Sequence, residues 1–506
     1  MMGDNVSIMA EEVEIKLSLP ESARRAFLRH PLLQQAEKLP VRKLVNVYYD
    51  SPDLALHRQG IALRTRRQGR GWLQTVKCAG VASGGLAVRP EWEQPYSGRF
   101  DFAGIDDPQV RELLERHRIR SHLEPAFETV FTRSTWRFAP LRGASALLML
   151  DRGWIEAGGK REAISEIEIE LEQGKADILF DLALALAADL PLRPEILSKA
   201  ERGYRLRSGA PLKPVKAAPS PLHAAQSPLA AFRGIAAACI AQLQLNELGA
   251  GEEDAEFIHQ MRVALRRLRS ALRTFRPALP AGFEQSVVPP IRALARVLGG
   301  ARDWDVLAGE IVGPARDAFA GDVRLDALDA AVGRARQQAR EAARQALAAP
   351  AHAVFLLDLA ARLQRTRSAP AEEELAAFAA RRLSRLHKKA LALAAAAQEA
   401  DPASLHALRI GVKRLRYALE FFAPLYRDRD AREALESLTG LQDSLGALND
   451  LARAGALLMQ CMDSDPELRE AIALTGGWHG PRHAVLRRLT LQGIERLRKI
   501  KRFWKD

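Results

Sequence analysis

The chain has 506 residues, of which 47% are hydrophobic and 27% charged. That balance excludes a wholly disordered chain and leaves room for two or more domains with sizeable cores. The formal net charge is +13 and the isoelectric point is about 9.9, so an acidic partner is expected: nucleic acid, an anionic membrane or another polyanion.

Cys78, Cys239 and Cys461 stand far apart with no CxxC pair, which argues against a zinc ribbon or a disulfide framework. The opening residues contain Asp4 and no basic n-region. No uninterrupted apolar run reaches the roughly 18 residues of a membrane span. A cytoplasmic protein without a membrane partner is expected.

The first 208 residues alternate. Glu12-Val13-Glu14-Ile15-Lys16-Leu17, Ile61-Ala62-Leu63-Arg64-Thr65-Arg66, Gln74-Thr75-Val76-Lys77 and Ser165–Leu171 follow a period of two, and the apolar run Leu147–Leu150 ends at Asp151. These read as strands. Helical patterns intervene at about 21–35, 108–117 and 175–186. The class is α+β with a largely antiparallel sheet.

Glu12, Glu14 and Lys16 share one strand face, as do Arg64 with Arg66, Thr75 with Lys77, Glu91 with Glu93, and Glu166 with Glu168 and Glu170. Arg133 alternates with Phe131 and Thr135. One such strand is usually a solvated face. Several, some acidic and some basic, suggest a sheet that closes with its charged faces inward. Carboxylates bind hard cations such as Mg²⁺ or Mn²⁺, and Arg and Lys bind phosphate oxygens. Together they suit a cation-bound phosphate chain.

Residues 208–228 contain five prolines and little apolar periodicity, as an interdomain linker does. Residues 229–506 read as an α-helical bundle with breaks at Pro277–Pro280, Pro289–Pro290, Pro350, Pro370 and Pro402. The Ala-rich stretch 390–400 reads as helix. The charge is uneven: 31 basic and 29 acidic residues precede Gly209, against 44 and 33 from there on.

The helical half repeats itself. His259-x-x-Arg262-x-x-x-Arg266-Arg267-x-Arg269 recurs as His406-x-x-Arg409-x-x-x-Lys413-Arg414-x-Arg416, at an offset of 147. Phe275 maps onto Phe422, and Leu298-Gly299-x-x-Arg302-Asp303 onto Leu445-Gly446-x-x-Asn449-Asp450, at the same offset. A duplication is inferred, with copies around 255–305 and 402–452. The spacing puts the basic residues of each copy on one helix face, where like charges repel and a polyanion would relieve them. The plainer alternative is a solvated basic face. Neither histidine has a neighbouring His or Cys, so a histidine metal site is not indicated. Either could add charge below about pH 6.5.

This half resembles the CHAD domain over about residues 222–504, carried by the two histidine-centred clusters. The resemblance implies inorganic polyphosphate as a partner, bound by His259, Arg262, Arg266, Arg269, His406, Arg409, Lys413 and Arg416, with Arg267, Arg414 and Tyr417 as additions. The first part, about residues 10–207, resembles the CYTH domain of the triphosphate tunnel metalloenzymes. Its signature is Glu12-x-Glu14-x-Lys16, followed in family order by Leu63-Arg64-Thr65-Arg66, Thr75-Val76-Lys77, Glu91-Trp92-Glu93, Phe131-Thr132-Arg133, Asp151-Arg152-Gly153, Glu166–Glu170 and Ser198-Lys199-x-x-Arg202-Gly203-Tyr204. An antiparallel β-tunnel of about eight strands is implied.

A CYTH domain followed by a CHAD domain resembles bacterial inorganic triphosphatases. The implied reaction is hydrolysis of tripolyphosphate with Mg²⁺ or Mn²⁺. Lys16, Arg64, Arg66, Lys77, Arg133 and Lys199 would bind phosphate. Glu12, Glu14, Glu168 and Glu170 would bind the cation, and Glu12 or Glu14 would also orient or deprotonate water. Glu91, Glu93 and Asp151 would be further ligands or orienters. The organisation expected is a tunnel domain at 10–207, a linker at 208–228 and a helical domain at 229–506. Two alternatives stand beside this: a phosphatase for an organic triphosphate such as thiamine triphosphate or a nucleoside triphosphate, and a non-catalytic polyphosphate-binding or granule-targeting protein. Nucleic acid is the weaker partner, because few aromatics are present for stacking.

Overall fold

In the computed structural model, residues 10–69, 71–141, 143–219, 222–367, 373–397 and 401–505 are described. They divide into two units. One runs to Leu212 and also contains Ala349–Arg365; the other holds Lys213–Ala348 and the chain from Thr366 onward.

The first unit is built on a closed antiparallel sheet of eight long strands. Ala10–Ser18 pairs with Lys160–Gln173 on one side and with Leu86–Pro95 on the other. The circuit between them runs through Ala144–Ala157, Glu124–Leu141, Arg42–Asp50, Ile61–Gln68 and Gly71–Cys78. Short strands at Glu37–Lys38, Val81–Ser83 and Arg193–Pro194 add to its edges. The alternation seen in the sequence is thereby inverted relative to an ordinary barrel. Charged side chains face the lumen, and apolar ones face outward and are covered.

Ile15, Leu17, Ile167 and Ile169 point outward and are fully buried beneath Leu179, Phe180, Ala183 and Leu186 of the helix Asp177–Asp189. Leu357, Ala360 and Ala361 of the helix Pro350–Arg365 join the same cluster. Arg365 Nη2 lies 2.6 Å from Asp181 Oδ1. Gly84 lets this helix approach. Its φ is +61°, and a Cβ there would stand 2.5 Å from that of Ala360.

Two elements differ from expectation. The helix expected over 21–35 is three short pieces, Glu21–Ala23, Arg24–Leu28 and Pro31–Gln35. His30 is extended between them, because the residue before a proline is driven out of the helical region. The strand Arg42–Asp50 was not among the alternating runs, yet Leu44, Asn46, Tyr48 and Asp50 are all buried along it.

The second unit is helical, and the internal repeat is a repeat of structure. Ala255–Phe275 and Pro402–Phe422 are both 21-residue helices. Each is followed by a single 3-10 turn, Arg276–Ala278 or Ala423–Leu425, and then by a long helix, Phe283–Val306 or Asp428–Ser464. The two first helices pack together, with the fully buried rings of Phe275 and Phe422 5.4 Å apart. Pro289 and Pro290 do not break the helix Phe283–Val306. They cost it backbone hydrogen bonds, but Phe283, Val287, Ile291 and Leu294 are buried on both sides of them and hold the helix together. The Ala-rich helix spans Leu375–Ala396; Pro370 and residues 398–400 lie outside the described residues. The helix Pro228–Glu247 has the length and apolarity of a membrane span, which counting uninterrupted apolar runs passed over. Most of its apolar stretch is buried inside the unit, as in the core helix of a bundle.

Candidate active site

The strand register builds the lumen. Directly across the pair of strands at the start and end of the sheet, Lys16 faces Glu168, whereas Glu14 faces Glu170. On the other edge of the first strand, Glu12 faces Arg89. Lys77 faces Glu91, Arg64 faces Thr75, and Arg133 faces Asp151. Opposite charges across strands attract, and like charges repel. The Glu14–Glu170 and Asp151–Glu166 pairs are therefore places where the sheet alone sets carboxylate against carboxylate.

A cavity of about 240 Å³ lies within this lumen. Lys16, Arg64, Arg66, Lys77, Arg89, Arg133 and Lys199 line it, together with Glu12, Glu14 and Glu168. Most of the cations are already committed to carboxylates. Lys16 Nζ is 2.9 Å from Glu14 and 3.5 Å from Glu168. Burial works against its ammonium, but Glu14 and Glu168 outweigh it and raise its pKa. Lys77 Nζ lies 2.7 Å from Glu12 and 2.9 Å from Glu91. Arg133 clasps Asp151 through Nε at 2.7 Å and Nη2 at 2.6 Å, and also bonds Glu168. Arg64 and Arg66 are held more loosely. Arg64 Nη2 is 3.6 Å from Glu91, and neither its Nε nor its Nη2 makes a hydrogen bond. Arg66 Nε donates to Asn46 Oδ1 at 2.9 Å, and Glu93 is 4.0 Å away. Burial, Arg64 and Arg133 together bring the Arg66 guanidinium down to about 10. These two arginines are the groups most ready to accept an anion.

Lys199 enters from the first turn of the helix Lys199–Ser208. Ser198 and Glu201 form a reciprocal capping box that fixes where this helix begins. Gly203 lets it lie on the sheet, since a Cβ would sit 2.1 Å from the Phe127 ring. Lys199 Nζ is 2.7 Å from Asp151 and 2.9 Å from Glu168, and it bonds Glu166. Asp151, Glu166 and Glu168 stand close enough to hold a cation between them, but the Lys199 ammonium already fills that position.

The expected cation ligands Glu12 and Glu14 are also held by cations, Glu12 by Lys77 and Arg89 and Glu14 by Lys16 and Arg89. Glu12, Glu14 and Glu170 offer only carboxylate oxygens, the donors that hard divalent cations take. The Glu170 side chain makes no hydrogen bond or ion pair among the described residues. Burial, then Glu12, Glu14 and Glu168, push its carboxyl up to about 7. A cation placed here would remove the repulsion that the register creates. Glu168, expected as a cation ligand, lies nearby but is committed to Lys16, Arg133 and Lys199.

In the second unit, Arg262, Arg266, Arg269 and Arg273 from one repeat meet Lys413, Arg414 and Tyr417 from the other around a cavity of about 350 Å³. Lys413 has its pKa pushed down to about 7 by burial and then by Arg409, Arg266, Arg262 and Arg416. The remaining expected residues lie differently. Arg416 donates to Gln442 at 2.8 Å and pairs with Glu420. Arg267 is 2.9 Å from Glu420. His406 is exposed, and Arg409 lies near Asp450. His259 is lowered by burial and by Arg302, so it gains charge only at more acidic pH than an ordinary histidine. A second cavity, of about 820 Å³, shares Arg269, Arg273 and Arg414 with the first and adds Arg292, Arg382, Arg385 and Lys389.

Two family descriptions match the chain: CYTH domain over residues 10–204 and CHAD domain over residues 234–459. The chain is a CYTH–CHAD protein. It is 32% identical to the inorganic triphosphatase of Haemophilus influenzae over 212 residues, which is 40% of this chain and 56% of that protein. It thus spans little more than half the length of that curated relative. The crystal structure of the CHAD domain from Ricinus communis is 36% identical and superposes with a TM-score of 0.51, covering 57% of this chain and 98% of that one.

In the CYTH domain, sequence reasoning missed Arg89. It lies on the strand Leu86–Pro95, where Pro90 and Pro95 obscure the alternation. The signal was its parity with Glu91 and Glu93, two and four residues on. In the CHAD domain, Arg292, Arg382, Arg385 and Lys389 lie outside the duplicated motifs and carried no signal of their own.

Proposed function

We propose that the CYTH domain hydrolyses inorganic triphosphate to pyrophosphate and phosphate with Mg²⁺ or Mn²⁺, and that the CHAD domain binds inorganic polyphosphate. The observation that carries the reading is the pairing, in one closed lumen, of the loosely held Arg64 and Arg66 with a row of carboxylates of which Glu170 has no ion pair. Arg64 and Arg66 take phosphate oxygens first. Lys16, Lys77, Arg133 and Lys199 exchange carboxylate for phosphate as the chain enters. A divalent cation held by Glu12, Glu14 and Glu170 would offset phosphate charge and acidify water. Glu12 or Glu14 would orient the attacking water and accept its proton. The basic groups stabilise the departing pyrophosphate, in a reaction that depends on position and charge. Placement in the cytoplasm, with or without association with polyphosphate granules, belongs to the same proposal.

An organic triphosphate is the second reading, because Ile61, Phe131, Ile196 and Tyr204 give the same cavity an apolar wall. The test is phosphate release from tripolyphosphate, ATP, thiamine triphosphate and long-chain polyphosphate, each with Mg²⁺, Mn²⁺ or EDTA. Fast, EDTA-sensitive release from tripolyphosphate above the others supports the proposal. Preference for an organic triphosphate supports the second reading. No release from any of them, in a folded and metal-loaded protein, leaves a binding protein.

A further inference from the structure

We infer that Arg89 is a built-in counter-ion for the acidic end of the tunnel, and that it makes cation and triphosphate bind cooperatively. Arg89 occupies Glu12 and Glu14 while the lumen holds no divalent cation, and it releases them when a phosphate chain gives it another partner. The inference rests on the reading of the tunnel as a cation-dependent triphosphatase.

Three observations carry it. The register sets Arg89 directly beside Glu12 on the neighbouring strand. Its Nε lies 3.2 Å from Glu12, and its Nη2 bonds Glu14, so one guanidinium spans two carboxylates suited to the cation. Its partners also differ from those of Lys77, the other cation on Glu12. Lys77 keeps Glu91 at 2.9 Å if Glu12 is withdrawn. Arg89 has no carboxylate besides Glu12 and Glu14 within ion-pair distance among the described residues.

A divalent cation arriving between Glu12, Glu14 and Glu170 must therefore displace Arg89 and leave it unpaired in a site that is itself largely enclosed. That penalty opposes binding of the cation alone. Arg89 also lines the cavity, so a phosphate chain in the lumen supplies the partner it loses. Each ligand then favours the other, and by linkage the effect is reciprocal. Direct coordination between cation and phosphate adds to this cooperativity. It does not depend on Arg89, and a change in cation affinity with no phosphate present separates the two.

The experiment is a Mn²⁺ titration of the full chain, read as loss of the free-ion signal in electron paramagnetic resonance and repeated by calorimetry. Wild type, Arg89→Met, Arg89→Gln and Arg89→Lys are compared without anion, and then with a triphosphate analogue whose bridging oxygens are methylene groups. Without anion, Arg89→Met and Arg89→Gln should bind Mn²⁺ on the order of tenfold more tightly than wild type, within the usual range for linked sites. Arg89→Lys should stay near wild type. The analogue should improve Mn²⁺ affinity less in the two neutral variants than in wild type. Either neutral variant suffices if the other fails to fold. Equal or weaker Mn²⁺ binding in a folded neutral variant overturns the inference and leaves the function reading intact. No Mn²⁺ binding in any of the proteins, with or without the analogue, overturns the cation site itself.

Discussion

Asp151 is the most exacting point at which to test the account of the tunnel's charges. Its carboxylate is wholly buried and receives three donors: Arg133 Nε at 2.7 Å, Arg133 Nη2 at 2.6 Å and Lys199 Nζ at 2.7 Å. Asp151→Asn keeps the shape, removes the charge and turns an amide N–H₂ toward groups that can only donate. Removing one partner of a buried ion pair costs about 3–5 kcal/mol. Glu166 and Glu168 still contact Lys199, and Glu168 still contacts Arg133, so the lower end, about 3 kcal/mol, is expected. The chain has two units, and a single transition cannot be assumed. The assay is therefore urea-dependent hydrogen exchange read on peptides from strands 124–173. Added tripolyphosphate without metal stabilises any protein that binds it, by about 2.7 kcal/mol at one hundred times its Kd. It should stabilise the variant more than wild type, because it re-pairs the freed Arg133 and Lys199. A loss under about 1 kcal/mol in the variant, with no extra gain from the anion, would refute the view that Asp151 neutralises those two cations.

Glu14→Gln should lower phosphate release from tripolyphosphate on the order of 100-fold while circular dichroism stays unchanged; wild-type turnover would count against the carboxylate's role. Arg64→Ala should raise KM about 10- to 100-fold, as loss of a charge-assisted contact to an anion does, and an unchanged KM would remove Arg64 from the phosphate ligands. Leu357→Ala, in a fully buried position, should destabilise the first unit by about 2–5 kcal/mol. Exchange should rise in the helix Asp177–Asp189 and the strands beneath it; a rise confined to the second unit would contradict the packing. Lys413 loses its proton near pH 7 in the free protein, and bound polyanion favours the charged form. Affinity for long-chain polyphosphate should therefore be greatest below pH 7 and fall as the pH rises through it, with proton uptake on binding seen by calorimetry in buffers of different ionisation heat. Lys413→Arg, always charged, should flatten that slope, and an identical slope in the variant would exclude Lys413 as its source.

Much of the site was legible from short-range pattern. The alternation of Glu12, Glu14 and Lys16, and of Glu166, Glu168 and Glu170, states which residues share a face, because side-chain direction along a strand has a period of two. The offset of 147 between the basic motifs corresponds to two helices of equal length, each followed by the same kind of turn. These are local properties, and the chain carries them wherever it folds.

What the sequence left open depends on neighbours distant along the chain. The helix expected at 21–35 fails at a single His-Pro step. The helix Pro350–Arg365 reads like its neighbours in sequence, yet it is buried against the first unit because its Leu357 and Ala360 match the apolar outer face of the tunnel. Arg89, the cation that holds Glu12 and Glu14, sits in a proline-bearing run with weak alternation.

The sequence by itself determined which residues are charged inward and which are apolar outward, and that the helical half is doubled. Only the tertiary structure decided which cation meets which carboxylate. The physical reason is closure: the strand Ala10–Ser18 pairs at once with Leu86–Pro95 and with Lys160–Gln173. That double pairing sets Glu12 against Arg89, Lys16 against Glu168 and Glu14 against Glu170. A strand's alternation specifies its faces, whereas the charge opposite each residue is set by the register of strands far away in the chain.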